Sequence, residues 1–229
     1  MPIGIIGAMD EEIEMLKQQM TDRSEITVAN CLFIEGKLFE RDIVLLKSGI
    51  GKVNAAMAAT IMHERYAPSH VINTGSAGGF ADSLQVGDIV ISSKVVHHDV
   101  DCTAFDYAYG QVPGMPAVYV PDKSLVMKTS DAIKELGVRY TEGIIATGDS
   151  FMSDSSRVAF VKERFPAMIA GEMEAAAIAQ VCYQYGSPFV IIRALSDIAG
   201  KDSSVSFDAF LETAAENAAK LIMKVIPAI

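Results

Sequence analysis

The chain has 229 residues, 50% of them apolar and 21% charged, a balance that supports a sizeable core and excludes intrinsic disorder. A net charge of -10 and a pI near 4.8 repel phosphate backbones and anionic lipid, so neither a nucleic acid nor a membrane is expected as a partner. Cys31, Cys102 and Cys182 lie far apart and form neither a zinc motif nor a disulfide framework; with no signal-peptide pattern and no apolar run near the ~20 residues that span a bilayer, a cytoplasmic location is expected.

In chain order, the first apolar run, Ile3–Ile6, reads as a buried strand. It leads into Gly7-Ala8-Met9 and a helix over Met9–Lys17, with Ile13 and Leu16 on one face. Asp10 and Glu11 occupy its first turn, where the helix dipole favours acids. Further strands are predicted at Ile43–Leu46, Val71–Ile72, Ile89–Ile91, Gly143–Ala146, Ala167–Ala170 and Phe189–Ile192. Several carry consecutive β-branched residues, as in sheets covered on both faces. Helices are predicted over Gly51–Tyr66 and along a stripe running from Phe207 and Phe210 to Ile222 and Val225. Asn73–Gly79 reads as a glycine-rich turn that lets the backbone approach a ligand. This order of elements implies an α/β fold with a mostly parallel sheet and helices on both sides. No linker or repeat divides residues 1–229, so one domain is expected.

The segment His98–Asp122 breaks the rhythm, being long, aromatic and punctuated by Gly110, Pro113, Gly114, Pro116 and Pro121. Phe105, Tyr107 and Tyr109 are costly to leave in water, so burial at a subunit interface or over a ligand is expected for them.

Several familiar chemistries fail on spacing. Ser48-Gly49-Ile50-Gly51-Lys52 lacks the leading glycine of a phosphate loop and has Val53 where that loop carries Ser or Thr. The chain holds no Gly-x-Ser-x-Gly elbow and no Gly-x-Gly-x-x-Gly after its first strand. His97 and His98 are adjacent, so on an extended chain they face opposite ways and do not share a metal. What remains is a set of acids just beyond buried strands: Asp10, Glu11 and Glu12 after the first, Glu172 and Glu174 after Ala167–Ala170, and Arg193 with Asp197 after Phe189–Ile192. Charges so placed are paired or wet. An Arg193–carboxylate pair is expected, and it leaves spare acids whose pKa values can be pushed apart into one acid and one base.

The segments IGIIGAMDEEIEML, KSGIGKVNAA, INTGSAGGF, VGDIVIS, HHDVDCTAFDYAYGQVPGMP, TGDSFM, GEMEAAAIAQVC, PFVIIRALSDIAG and SFDAFL follow one another along nearly the whole chain. Together they resemble the 5′-methylthioadenosine/S-adenosylhomocysteine nucleosidases of the nucleoside phosphorylase superfamily. The resemblance implies a three-layer αβα sandwich with a mixed central sheet, working as a homodimer without cofactor or metal. It implies cleavage of the N-glycosidic bond of methylthioadenosine and S-adenosylhomocysteine, and of 5′-deoxyadenosine. Asp197, beside Ser196, would protonate adenine N7, and Glu12 would activate water. Glu174 would bind the ribose hydroxyls, with Met173 beside the sugar, while Ser76 and Arg193 would fix the water and Glu12, with Glu172 supporting Arg193. Gly78 would lie against the substrate, Phe151 would stack on adenine, and the Met152 backbone would read its edge. Ile50, Met9 and Phe207 would wall the 5′-alkylthio pocket, and Phe105 and Pro113 would reach in from the partner subunit. Cys102, Met152 and Gly171 stand where other members often carry Val, Ile and Val. Asn73 stands where hexameric phosphorylases carry an arginine, and an acid on the water side disfavours an attacking phosphate, so hydrolysis is expected over phosphorolysis. An AMP nucleosidase would need basic residues where Met9, Ile50 and Phe207 stand.

Overall fold

The computed structural model describes residues 1–201 and 203–229. Its strands are β1 (Ile3–Gly7), β2 (Thr21–Val28), β3 (Cys31–Leu38), β4 (Arg41–Lys47), β5 (His70–Asn73), β6 (Ser76–Gly79), β7 (Ile89–His97), β8 (Tyr140–Thr147), β9 (Met168–Glu172) and β10 (Phe189–Ile198). Its helices are α1 (Asp10–Gln19), α2 (Lys52–Tyr66), α3 (Lys123–Leu136), α4 (Ser155–Arg164), α5 (Ala175–Tyr185) and α6 (Ser203–Val225).

The strands form a mixed sheet in the order β2-β3-β4-β1-β5-β10-β6-β9-β8-β7. Its middle is parallel, with β1 between β4 and β5 and β10 beside β5. Apolar side chains alternate across it with the period of two that a strand imposes. Ile6, Leu46 and Ile191 pack toward α2 and α5, around Met62 and Ile178. Ile5, Leu45 and Val190 pack toward α1, α3 and α6, around Leu16, Ile133 and Ile222.

One feature departs from an open sheet. The long strand β10 leaves β5 after Ile191, pairs antiparallel with β7 through Ile192–Ala194, and then runs parallel to β6. Strands β10, β6, β9, β8 and β7 thereby close into a ring. The register of β10 on β6 slips between Leu195 and Asp197, a bulge that turns the end of the strand. Ser196 and Asp197 are carried by that bulge.

The expected glycine-rich turn is partly strand, because Ser76–Gly79 is β6, paired to β10 on one side and β9 on the other. The His98–Asp122 segment holds a single 3-10 turn, Thr103–Phe105. Its aromatics divide: Tyr109 packs on Phe160 and Phe165, while Phe105 is 76% exposed.

Candidate functional site

A cavity of about 280 Å³ opens where β1, β9 and β10 end, the usual place for a ligand in a parallel sheet. Glu12, Glu172, Glu174 and Asp197 all reach it.

Glu12 is placed by the start of α1. Its Oε2 accepts the N–H groups of Ala8 at 2.7 Å and Met9 at 3.3 Å, so the side chain reaches back over its own helix N-terminus. Its Oε1 accepts the Ser76 N–H at 2.9 Å and hydroxyl at 3.2 Å. The carboxyl is buried, and all four neighbours are donors. Gly75 makes this approach possible, since a Cβ there would lie 2.7 Å from Oε1.

Glu172 and Arg193 form the buried base of the site. Arg193 is 1% exposed, and its Nη2 donates to Glu172 Oε2 and to Asn73 Oδ1, both at 2.6 Å. Glu172 Oε2 also accepts the N–H groups of Glu174 and Ala175 at 2.9 and 2.8 Å, capping α5, and its Oε1 accepts from the Thr147 hydroxyl. A charge pair this deep is tolerable only when its remaining hydrogen bonds are satisfied, which these caps achieve for the carboxylate. Arg193 bonds Glu172 and Asn73 rather than Glu12, and it is not among the residues that line the cavity.

Among the described residues Glu174 has one donor, the Gly51 N–H at 2.8 Å from Oε1. Burial pushes its pKa up, the neighbouring Glu172 adds to the rise, and Arg193 and the Gly51 N–H oppose it. Asp197 is 2% exposed, and among the described residues its Oδ1 accepts only the Ser196 hydroxyl at 3.0 Å. Burial pushes its pKa up, with Ser196 opposing. Gly78 leaves room for this carboxyl, because a Cβ there would sit 3.1 Å from Oδ2.

The rest of the wall is apolar. Met9, Ile50, Met173, Phe151 and Phe207 line it, the two phenylalanine rings meeting edge to face at 5.7 Å. Met152 does not line it: its side chain is buried in a separate cluster and its carbonyl accepts the Gly200 N–H at 3.0 Å. Phe105 and Pro113 are exposed and lie outside the cavity of their own chain. Sequence reasoning missed Ala8, Ala77 and Gly171 in the lining, and the contacts of Gly51 and Thr147. The first three carry no functional group, and the other two act on residues far along the chain.

Gly171 has a packing reason, because a Cβ there would come within 2.7 Å of the Phe80 ring. Phe80 fills the space that a valine would need. Gly171→Val is expected to cost about 1–3 kcal/mol by overpacking, seen as a lower Tm. Adding Phe80→Leu is expected to recover most of the loss, and a Tm that Gly171→Val leaves unchanged would show that the ring yields freely.

Residues 2–227 match the family model described as the phosphorylase superfamily. The 5′-methylthioadenosine/S-adenosylhomocysteine nucleosidase of Oceanobacillus iheyensis is 64% identical, with 99% of each chain covered. The corresponding nucleosidase of Neisseria meningitidis, solved with methylthio-immucillin-A, superposes with a TM-score of 0.98 at 45% identity, covering 100% of this chain and 99% of the other. That of Colwellia psychrerythraea, solved with adenine, superposes with a TM-score of 0.97 at 48% identity, covering 99% and 95%.

Proposed function

The chain belongs to the phosphorylase superfamily, and from that premise we propose that it hydrolyses the N-glycosidic bond of 5′-methylthioadenosine and S-adenosylhomocysteine, releasing adenine. The observation that carries hydrolysis is the sign of the cavity. The charged residues lining it, among those described, are Glu12, Glu172, Glu174 and Asp197. With no cation in that lining, an attacking phosphate finds no counter-charge to hold it, while a carboxylate there suits a cation-like sugar. Arg193, which does not line it, pairs with Glu172 and donates to Asn73.

In this reading Asp197 protonates adenine N7, so that the base leaves neutral. A carboxyl raised in pKa by burial holds its proton to higher pH than an exposed one, which favours this step. The sugar becomes oxocarbenium-like. Glu174 holds the ribose hydroxyls beside Met173, and Glu12 takes a proton from the attacking water, with Ser76 orienting it. Adenine stacks on Phe151, and the 5′-thioalkyl group lies against Met9, Ile50 and Phe207, a wall with no cation for a 5′-phosphate. The chemistry needs no cofactor. The same apolar wall fits 5′-deoxyadenosine, and these substrates place the reaction in methionine salvage and the recycling of S-adenosylmethionine by-products.

The test is adenine release from methylthioadenosine in phosphate-free buffer. Full activity is expected, unchanged by added phosphate, and strict dependence on phosphate would sink the hydrolase reading.

The reading also takes residues 1–229 as one domain, with helices flanking the sheet in three layers; the two helix groups packed on opposite faces of β1 and β10 support this. A homodimer is part of it, with Phe105 and Pro113 passing to the neighbouring site. Exposed Phe105 and the exposed pair Val53 and Met57 on one side of α2 support such a contact. A fully active monomer in sedimentation would count against a shared site. Three free cysteines among the described residues support a cytoplasmic setting, and no described helix is long and apolar enough to cross a membrane.

A further inference from the structure

Two motifs take little part in this chemistry: Gly49-Ile50-Gly51-Lys52, which imitates a phosphate loop and gives only Ile50 to the cavity wall, and His97-His98-Asp99. The fold brings them together. Helix α2 begins with Lys52 and has no acid in its first turn, the wrong sign for a helix N-terminus. Its leading N–H groups instead meet carboxyl groups from distant segments. Gly51 N–H donates to Glu174 Oε1 at 2.8 Å, and Lys52 N–H donates to Asp149 Oδ1 at 2.8 Å. Lys52 Nζ then pairs with Asp99 Oδ1 at 2.6 Å, and Asp99 Oδ2 accepts the Asp149 N–H at 2.9 Å. The three residues close a ring of contacts. The ion pair is partly shielded, with side-chain exposures of 19% and 29%. Gly51 has φ +97°, and a Cβ there would meet Asp149 Oδ1 at 3.2 Å, so the segment fits against Asp149 as glycine.

We propose that Lys52, Asp99 and Asp149 form a clamp that holds the Gly51 N–H on the Glu174 carboxyl, making all three positioning residues for the ribose end of the cavity. None of them lines the cavity. They act through the start of α2, whose Gly51 N–H is the one donor on Glu174 among the described residues. The same ring ties Ile50 on one wall to the segment that carries Phe151 on the other. The proposal rests on the reading of Glu174 as the ribose ligand.

The test compares KM and kcat for adenine release from methylthioadenosine in Asp149→Ala, Asp149→Asn, Glu174→Gln and the double variant Asp149→Ala/Glu174→Gln. Loss of one positioned hydrogen bond is expected to raise KM about tenfold in Asp149→Ala, with kcat within about threefold. Asp149→Asn keeps an oxygen for the Lys52 N–H and is expected to restore most of the KM. Because Asp149 acts through Glu174, the double variant is expected to be no worse than Glu174→Gln alone. Losses that add in the double variant, or a wild-type KM in Asp149→Ala while Glu174→Gln raises it, would overturn the clamp. A wild-type KM in Glu174→Gln would overturn the ribose role of Glu174 instead, and the proposal with it. Should Asp149→Ala fail to fold, Lys52→Met removes the ion pair alone, and its smaller rise in KM must likewise vanish in the Glu174→Gln background.

Discussion

Replacing Asp197 by Asn is expected to lower kcat by about 10²–10⁴-fold, the usual contribution of a general acid, while raising stability at neutral and alkaline pH. The rate loss follows from removing the only proton this carboxyl can give to departing adenine. The gain in stability follows from its surroundings. Asp197 is buried with a single donor among the described residues, the Ser196 hydroxyl, which an asparagine carbonyl accepts equally well. Burial holds the folded pKa above the ordinary carboxylate value. The folded protein therefore keeps its proton in a pH window where the unfolded chain has lost it. Across that window stability falls as pH rises, until the folded pKa is passed. Asparagine carries no such cost, so the variant's Tm should match the parent's below the window and exceed it above. Near-normal turnover would remove Asp197 as the acid, and a Tm difference that ignores pH would remove burial as the cause of its shifted proton.

The parts of this site that sequence alone exposed are those written locally. Glu12 and Asp197 stand just past apolar runs, and an ionisable group there has to be paired, wet or useful. The strands β1, β4, β7 and β10 were legible for the same reason, since continuous apolar residues mark strands buried on both faces. Strands β2 and β3, which run into β4 as a meander, were not. β2 is exposed along almost its whole length, so no alternation marks it. Its two hairpin turns use Ala29-Asn30 and Phe39-Glu40, all with positive φ, instead of the glycine-containing pairs that announce such turns. β6 was hidden because Ser76–Gly79 has almost no side chains to pattern. Closure of the ring through β10 and β7 was hidden because periodicity says which face a residue takes and nothing about which strand edges meet. The Gly51–Glu174 and Lys52–Asp149 contacts span 123 and 97 residues, and no local spacing encodes them. The acids could thus be found from sequence, whereas their donors required the fold.

Those donors decide the second large effect. Glu12→Gln is expected to lower kcat by about 10²–10⁴-fold through loss of the base that activates water, and to lower stability as well. A glutamine must turn its NH2 toward one of two places. Toward Oε2 it faces the N–H groups of Ala8 and Met9; toward Oε1 it faces the Ser76 N–H and hydroxyl. The hydroxyl can rotate to accept, but no backbone N–H can. At least one buried donor therefore opposes another, at about 1–3 kcal/mol, or a drop in Tm of several degrees for a chain of this size, at about 2–4 °C per kcal/mol. The same exchange of oxygen for NH2 at Asp197 meets no ring of donors. One carboxyl sits among four N–H and O–H groups, and the other has left water with almost none. In the proposed mechanism that contrast separates a base from an acid across one sugar. Thermal unfolding of the two variants at neutral pH reads it directly: Asp197→Asn should rise where Glu12→Gln falls. Shifts of the same sign would mean that the two carboxyls share one environment, and the division of labour between them would have to be abandoned.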